Sequence, residues 1–129
     1  MKVKTKAYIH DHVVDDRDHQ HLKPSCIYTV IGIDNENFRV VNEIGEPILY
    51  PKELFDVVDS LVPEIWVKKE FEDGDYYINP PELSETGFYE DYFDKKEDAV
   101  KTFQKFLREN KVAGQVIKTG GTGGTSVKK

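Results

Sequence analysis

The residues best suited to metal binding or proton transfer are the histidines, and all of them fall within the first 21 positions of the chain. They are paired as HDH and HQH, with aspartates in and between the pairs: His10, His12, His19 and His21. On a strand the first pair would share one face and could hold a zinc ion, and the second pair could complete the site across the loop. The spacing matches neither HExxH nor HxHxDH. We therefore favour a polar loop without metal and expect no cofactor, and a metal-binding protein or enzyme is the alternative.

A second stretch, residues 71–94, is here called the acidic aromatic segment. Its sequence, FEDGDYYINPPELSETGFYEDYFD, contains eight carboxylates and seven aromatic rings but no lysine or arginine. Carboxylates without internal counter-ions repel one another and gain most when an external cation meets them. Tyrosine and phenylalanine supply contact area at a small entropic cost. The segment therefore predicts a surface that binds a basic protein.

The residues that we expect to contact such a partner differ in what they contribute. Charge is expected from Asp73, Asp75, Glu85, Glu90 and Asp91, and contact area from Tyr76, Tyr77 and Tyr89. The competing interpretation is that the carboxylates form a solvated face and that the rings belong to the core. In that case lysines of the following helix would be the internal partners.

The rest of the chain lacks the patterns of common catalytic sites. The single cysteine, Cys26, has no histidine in a defined motif beside it, and no serine lies in GxSxG. The GGTGG run lacks the Lys-Ser/Thr ending of a phosphate-binding loop. The sequence thus predicts a protein that is not an enzyme. The net charge of −6 also counts against direct nucleic-acid binding.

The sequence also shows no pattern of a targeting signal. No apolar run approaches the roughly 18 residues of a membrane-spanning helix. The lysines of MKVKTKAYIH are not followed by the apolar stretch of a signal peptide, and a lone cysteine cannot form an internal disulfide. We expect a cytoplasmic protein without membrane contact.

Residues 1–59 have the pattern of a small β protein. Residues 3–9 alternate as in a half-buried strand, CIYTVIGID and NFRVVN predict a hairpin, and PILY predicts a third short strand. Pro51 then begins one short helical turn, and a closing strand follows at residues 55–58. This order is typical of an SH3-like barrel, which needs only about 60 residues.

Residues 60–112 predict an extension that packs on the barrel. IWVKKEF and DYYIN form an expected hairpin through Asp-Gly, and residues 82–93 are expected to be irregular but packed on the barrel. A helix is predicted from about residue 95 to 110, with Asp94 as its N-cap. Its apolar positions are Ala99, Val100, Phe103, Phe106 and Leu107. Residues 113–129 predict a disordered tail. The fold class is therefore mainly β with one C-terminal helix.

The strings YTVIGID, LYPKELFDVVD, IWVKKEF and GFYEDYFD resemble a diffuse group of small bacterial and phage proteins. Members of that group pair an SH3-like barrel with an extension anchored by a tryptophan, here Trp66. Some of them resemble immunity proteins that neutralise toxins, or products of phage defence loci. The resemblance implies an inhibitor of a toxin or defence enzyme, and it implies no catalytic residue.

We therefore expect an inhibitor that neutralises a basic enzyme through the acidic aromatic segment, as an immunity or an anti-defence protein does. Two other possibilities are left open beside the histidine site. The barrel could bind proline-rich peptides through Tyr8, Tyr50, Pro51 and Phe55. It could also be a structural phage component that assembles with itself.

Overall fold

The computed structural model describes residues 1–9, 12–13, 21–110 and 112, with the side chains of the short pairs at 8–9 and 12–13 left out. Its strands are β1 (Lys2–Thr5), β2 (Tyr8–Ile9), β3 (His12–Val13), β4 (Ile27–Asp34), β5 (Asn37–Val41), β6 (Pro47–Pro51), β7 (Phe55–Asp59), β8 (Val67–Glu70) and β9 (Tyr76–Asn79). Two 3₁₀ turns, Lys52–Leu54 and Pro81–Leu83, precede the helices α1 (Phe88–Phe93) and α2 (Glu97–Glu109).

Seven of these strands form one antiparallel sheet that is organised around β4. The order is β6-β5-β4-β1-β7, and β9 joins β4 on the same side as β1, with β8 beyond it. The first half of β4 pairs with β1 through Lys2↔Thr29 to Lys4↔Ile27, and its end pairs with β9 at Ile33↔Ile78. The eight-residue strand therefore belongs to both the first meander and the later hairpin.

The two faces of the sheet carry separate hydrophobic cores. Val30, Phe38 and Tyr50 contribute to the core on the first face, together with residues from β1, β7 and the first 3₁₀ turn. Ile31 and Val41 belong to the second core, which is completed by both helices. Successive residues of a strand point to opposite faces, so the β5 sequence NFRVV supplies both layers. The second face is the one that matters for the site described below.

The predicted class, mainly β with a C-terminal helix, is confirmed, but the sheet is not closed into a barrel. β6 and β7 are the two ends of the strand order, and they are linked only through the 3₁₀ turn Lys52–Leu54. Side chains fill the space between them: the Phe55 ring meets the rings of Phe38 and Tyr50 edge to face, at 6.0 and 6.5 Å between centroids. Ring packing thus brings the ends of the meander together without a hydrogen-bonded seam.

The first strand is shorter than the alternation predicts. β1 ends at Thr5, and the chain then forms a separate two-stranded ladder in which Tyr8 pairs with Val13 and Ile9 with His12. The backbone N–H of Lys6 still donates to Leu54 O, next to β7. One strand of the short ladder, β3, lies in the polar loop predicted around the histidines.

The region from Pro80 to Phe93 is more regular than expected, because it forms the second 3₁₀ turn and α1. Leu83 and Phe88 are buried as predicted, whereas Phe93 is exposed and does not pack on the sheet. Trp66 is half-buried in the segment that leads to β8.

The C-terminal helix is confirmed, with a different beginning. Ala99, Phe103, Phe106 and Leu107 are buried as predicted, but the helix starts at Glu97 and Lys96 occupies its N-cap without a side-chain hydrogen bond. The predicted capping by Asp94 is therefore wrong. Asp94 instead ends α1, and Lys95 follows it with a positive φ of 62°.

No helix among the described residues is long and apolar enough to cross a membrane.

Candidate functional site: an acidic and aromatic groove

The helices cover only part of the second face of the sheet. They pack over Ile31 and Val41, and the register places two rows of residues beyond them on that face. One row is Gly32, Arg39 and Leu49, and the other is Asp34, Tyr77 and Lys69. Because directly paired residues of antiparallel strands share a face, these rows form the uncovered floor of a groove.

The groove consists of two hollows on either side of Tyr77. The larger hollow has a volume of about 600 Å³ and lies between the turn after β4, the β9 strand and α1. The smaller one, of about 330 Å³, lies between β8, β9 and the segment from Leu83 to Glu90. Tyr77, Asn79 and Tyr89 line both hollows, so the two are adjacent.

Two tight turns meet at one end of the larger hollow. In the turn after β4, Asp34 Oδ1 accepts hydrogen bonds from the backbone N–H groups of Glu36 and Asn37, at 2.9 and 2.8 Å. In the turn before β9, Asp73 Oδ1 accepts from the N–H of Asp75 at 3.0 Å.

Asn35 connects the two turns. Its side chain donates to Gly74 O at 3.3 Å and accepts from Tyr76 N–H at 2.8 Å. The short polar residues of both turns are typical of such self-bonded turns.

These turns bring four carboxylates into one cluster: Asp34, Glu36, Asp73 and Asp75. The neighbouring carboxylate of Asp73 raises the pKa of Asp75 above its usual value, and Glu36 and Asp34 act in the same direction. Like charges close together disfavour a further ionisation, so the cluster is electrostatically unfavourable without an added cation. We call it the acidic tip.

The structure brings most of the sequence-predicted contact residues together. Asp75, Tyr76, Tyr77 and Tyr89 line the larger hollow. Glu85 and Glu90 line the smaller hollow beside Tyr77 and Tyr89. These residues therefore line one groove, with the acidic tip at one end and α1 at the other.

Two of the predicted contacts lie outside the hollows. Asp73 belongs to the acidic tip but lines neither hollow. Asp91 lies on another side of α1, beside Glu82 and Asp98, and forms an ion pair with Lys96 at 3.3 Å. Among the described residues, Asp91 is the one carboxylate of the acidic aromatic segment with an ion pair. The other carboxylates of the segment are left for solvent or a partner.

The sequence interpretation missed Arg39, which lies at the floor of the larger hollow. Its guanidinium lies 3.7 Å from the centroid of the Tyr89 ring, and Nη1 donates to Pro47 O at 2.7 Å. Burial lowers the pKa of Arg39, and the nearby Tyr89 and Asp34 oppose that effect. The available signal was an arginine on the same strand face as Val41, where an apolar residue would be expected under a helix.

The surroundings of the Tyr89 hydroxyl and of the Asn79 side chain also depend on the fold, and no sequence pattern indicates them. The Tyr89 hydroxyl is buried and has no hydrogen-bond partner among the described residues, and burial raises the pKa of this phenol. The Asn79 side chain lies directly over Gly32, since a Cβ at Gly32 would be 2.6 Å from Asn79 Oδ1. Gly32 thus leaves space for the amide that lines the groove.

The other predicted sites are not assembled in the described part of the chain. His21 is exposed, only the backbone of His12 is described, and His10 and His19 lie outside the described residues. The described residues contain no group of metal-ligating side chains with suitable geometry. Tyr50 and Phe55 are buried in the first core, so these rings do not offer the exposed groove that a proline-rich peptide needs.

Comparison of the chain with protein families, with curated proteins and with solved structures found no match. The resemblance to small immunity-like proteins therefore stays a prediction. The site itself combines carboxylates, tyrosine rings and one guanidinium around an open groove. Such an arrangement can bind charged and aromatic groups.

Proposed function

We propose that this protein binds a basic partner protein through the groove and inhibits that partner by covering its active cleft. The observation that carries the proposal is the acidic tip, where two turns hold four carboxylates next to the tyrosines of β9. Lysine or arginine side chains of a partner would relieve the repulsion within the tip. Electrostatic attraction of this kind accelerates association and weakens as salt is added.

The tyrosines would supply the contact area after the charges have steered the partner into place. Tyr77 and Tyr89 lie between the two hollows, where a partner side chain entering either hollow would meet an aromatic wall. Aromatic residues in the centre of an interface contribute more binding energy than the charged rim does. Specificity would thus come from the rings and the rate of association from the carboxylates.

In a cell, such binding is the activity of an immunity protein that neutralises a toxin, or of an anti-defence protein that neutralises a host enzyme. Both kinds of inhibitor need a surface that attracts a basic enzyme, so one geometry supports both. A protein with this proposed function is not an enzyme and needs no cofactor.

Capture from a lysate of the native host tests the proposal. The immobilised protein is expected to retain a basic protein at low salt and release it at high salt, and mass spectrometry identifies what is held. The double variant Asp73→Lys/Asp75→Lys should lose this capture, because it reverses half of the acidic tip.

The matched control is Asp56→Lys/Glu109→Lys, which changes the net charge equally at exposed positions on β7 and at the end of α2. The control should retain the partner. Equal loss of capture in both variants would mean that only net charge matters, and unchanged capture in the tip variant would refute the proposed surface.

A further inference from the structure

Arg39 is a cation at the floor of the larger hollow whose hydrogen-bonding capacity is mostly unused. One N–H of its guanidinium donates to Pro47 O, and the described residues supply neither another acceptor nor a carboxylate in ion-pair contact. A guanidinium offers several donors in a planar fork that matches a carboxylate. Burial lowers the pKa of this group, so a carboxylate that replaces water beside it would stabilise its charged form.

Two further polar groups beside Arg39 are also without partners. The Tyr89 hydroxyl is buried without a hydrogen bond, and the Tyr89 ring lies against the Arg39 guanidinium. The side-chain amide of Asn79 makes no hydrogen bond among the described residues, although it lies over Gly32 in the wall of the same hollow. Arg39 and the Asn79 amide thus leave unused hydrogen-bonding groups in the lining of one hollow, as is typical of a ligand site.

The opposite end of this hollow has the reverse charge. Asp34, Glu36 and Asp75 line it, so a purely anionic ligand would be repelled at the rim and a purely cationic one at the floor. A ligand that carries both charges, with the carboxylate inward, would satisfy both ends. The volume of about 600 Å³ is within the usual range of small-molecule pockets.

We infer that the larger hollow binds a basic zwitterion, with its carboxylate on Arg39 and its guanidinium or ammonium group at the acidic tip. This chemistry is present in a free basic amino acid and in a lysine or arginine at the carboxyl end of a protein chain. In the second case the inference rests on the proposed function, because the end of the partner chain would enter the groove.

The test uses purified protein and four probes: L-arginine, L-argininamide, agmatine and N-acetyl-Gly-Gly-Arg. Amide chemical shifts followed by NMR should change at β9 and α1 with L-arginine or the tripeptide, at dissociation constants of about 1 mM, as expected for ligands of so few atoms. L-argininamide and agmatine lack the carboxylate and should bind at least about tenfold more weakly. Binding of L-arginine alone indicates a free ligand, and binding of the tripeptide alone indicates a chain terminus.

The variant Arg39→Gln should abolish the preference for the carboxylate. If this variant does not fold, the comparison of L-arginine with L-argininamide on the unaltered protein still decides the question. Equal binding of the acid and the amide would overturn the inference, as would no binding of any probe at tens of millimolar. Because these probes require no partner protein, their failure is separate from a failure of the lysate capture.

Discussion

The guanidinium carbon of Arg39 lies over the ring of Tyr89, 3.7 Å from its centroid, and this contact joins the sheet to α1. The arginine comes from the middle of β5, whereas the tyrosine is the second residue of α1. A cation over an aromatic face is favourable, more so where water is excluded. The contact therefore helps to hold α1 at the edge of the groove.

The buried hydroxyl of Tyr89 should cost stability in the unliganded protein. We expect Tyr89→Phe to raise the free energy of unfolding by up to about 1 kcal/mol, because it removes an unsatisfied polar group and keeps the ring. Urea unfolding measures the change. A clear loss of stability would show that the hydroxyl has a partner in solution.

Tyr28 is the matched comparison for that substitution. Its buried hydroxyl donates to Glu43 Oε2 at 2.7 Å and accepts from the backbone N–H of Lys23 at 2.8 Å. Tyr28→Phe should lower the free energy of unfolding by about 2 kcal/mol, since two partly buried hydrogen bonds are lost. The opposite signs of the two substitutions are the expected result.

A side chain at Gly32 should displace the Asn79 amide. A Cβ at this position would lie 2.6 Å from Asn79 Oδ1, the end of a side chain that can move, and 3.3 Å from Arg39 Cβ, so Gly32→Ala should cost about 1 kcal/mol of stability. In the double variant with Asn79→Ala, part of that loss should be recovered. Thermal or urea unfolding of the full mutant cycle gives the coupling.

The control is Gly74→Ala, where nothing lies within 4 Å and only the positive φ of 91° opposes the substitution. Asn79→Ala should leave the cost of this substitution unchanged. Equal effects of Asn79→Ala at both glycines would contradict the steric explanation.

Lys95 has a left-handed conformation that favours glycine. It follows α1, where its N–H donates to Tyr92 O and the N–H of Lys96 donates to Asp91 O, both at 3.0 Å. This pattern is a Schellman motif, which usually has glycine at this position. Lys95→Gly should therefore stabilise the protein by about 0.5–1 kcal/mol, measured by unfolding in urea.

Lys105→Gly is the matched control for the Schellman position. Lys105 is exposed within α2, where the conformation is that of an ordinary helix, so glycine there should lower stability by about 1 kcal/mol. Stabilisation by glycine at both positions would indicate that the left-handed conformation is not the cause.

The acidic tip should make stability depend on pH. Because neighbouring carboxylates raise the folded-state pKa of Asp75, the folded protein holds this proton more tightly than the unfolded chain does. The corresponding stability is complete below the unfolded pKa of about 3.9 and is lost as the pH rises through the folded pKa. Asp75→Asn should therefore raise Tm more at neutral pH than in acid, and less at high salt.

Asp56→Asn removes one charge on β7, away from the tip, and is the control for the pH experiment. Its effect on Tm should lack the dependence on pH and salt seen for Asp75→Asn. Indistinguishable profiles would mean that the clustering of carboxylates has no energetic consequence.

Much of the fold follows from local patterns, but the groove depends on long-range pairing. The turn at Asp73-Gly74-Asp75 and the apolar face of α2 are visible as motifs, and the structure contains both. The approach of the first turn to the second depends on Asn35, which is 41 positions away from Tyr76. No local pattern encodes that contact.

Residues 82–93, which the sequence predicts to be irregular, show a different limit of sequence reasoning. Phe88 to Phe93 contains β-forming aromatics and too few residues for a clear helical period, so its helix depends on packing of the Phe88 and Tyr92 rings. The position of Arg39 under that helix follows from the same packing. The acidic residues of the acidic aromatic segment were therefore identifiable from sequence, whereas Asp34, Glu36 and the cationic floor of the groove were not.

The long strand β4 links the stability of the groove to that of the whole protein. One of its edges is shared between β1 and β9, so separating the β8–β9 hairpin would expose the end of β4 that pairs with Tyr77 and Ile78. Bare strand edges are prone to pair with other chains. Occupancy of the groove would keep this hairpin docked, so binding there would also protect the protein from aggregation and from proteases that cut opened chains.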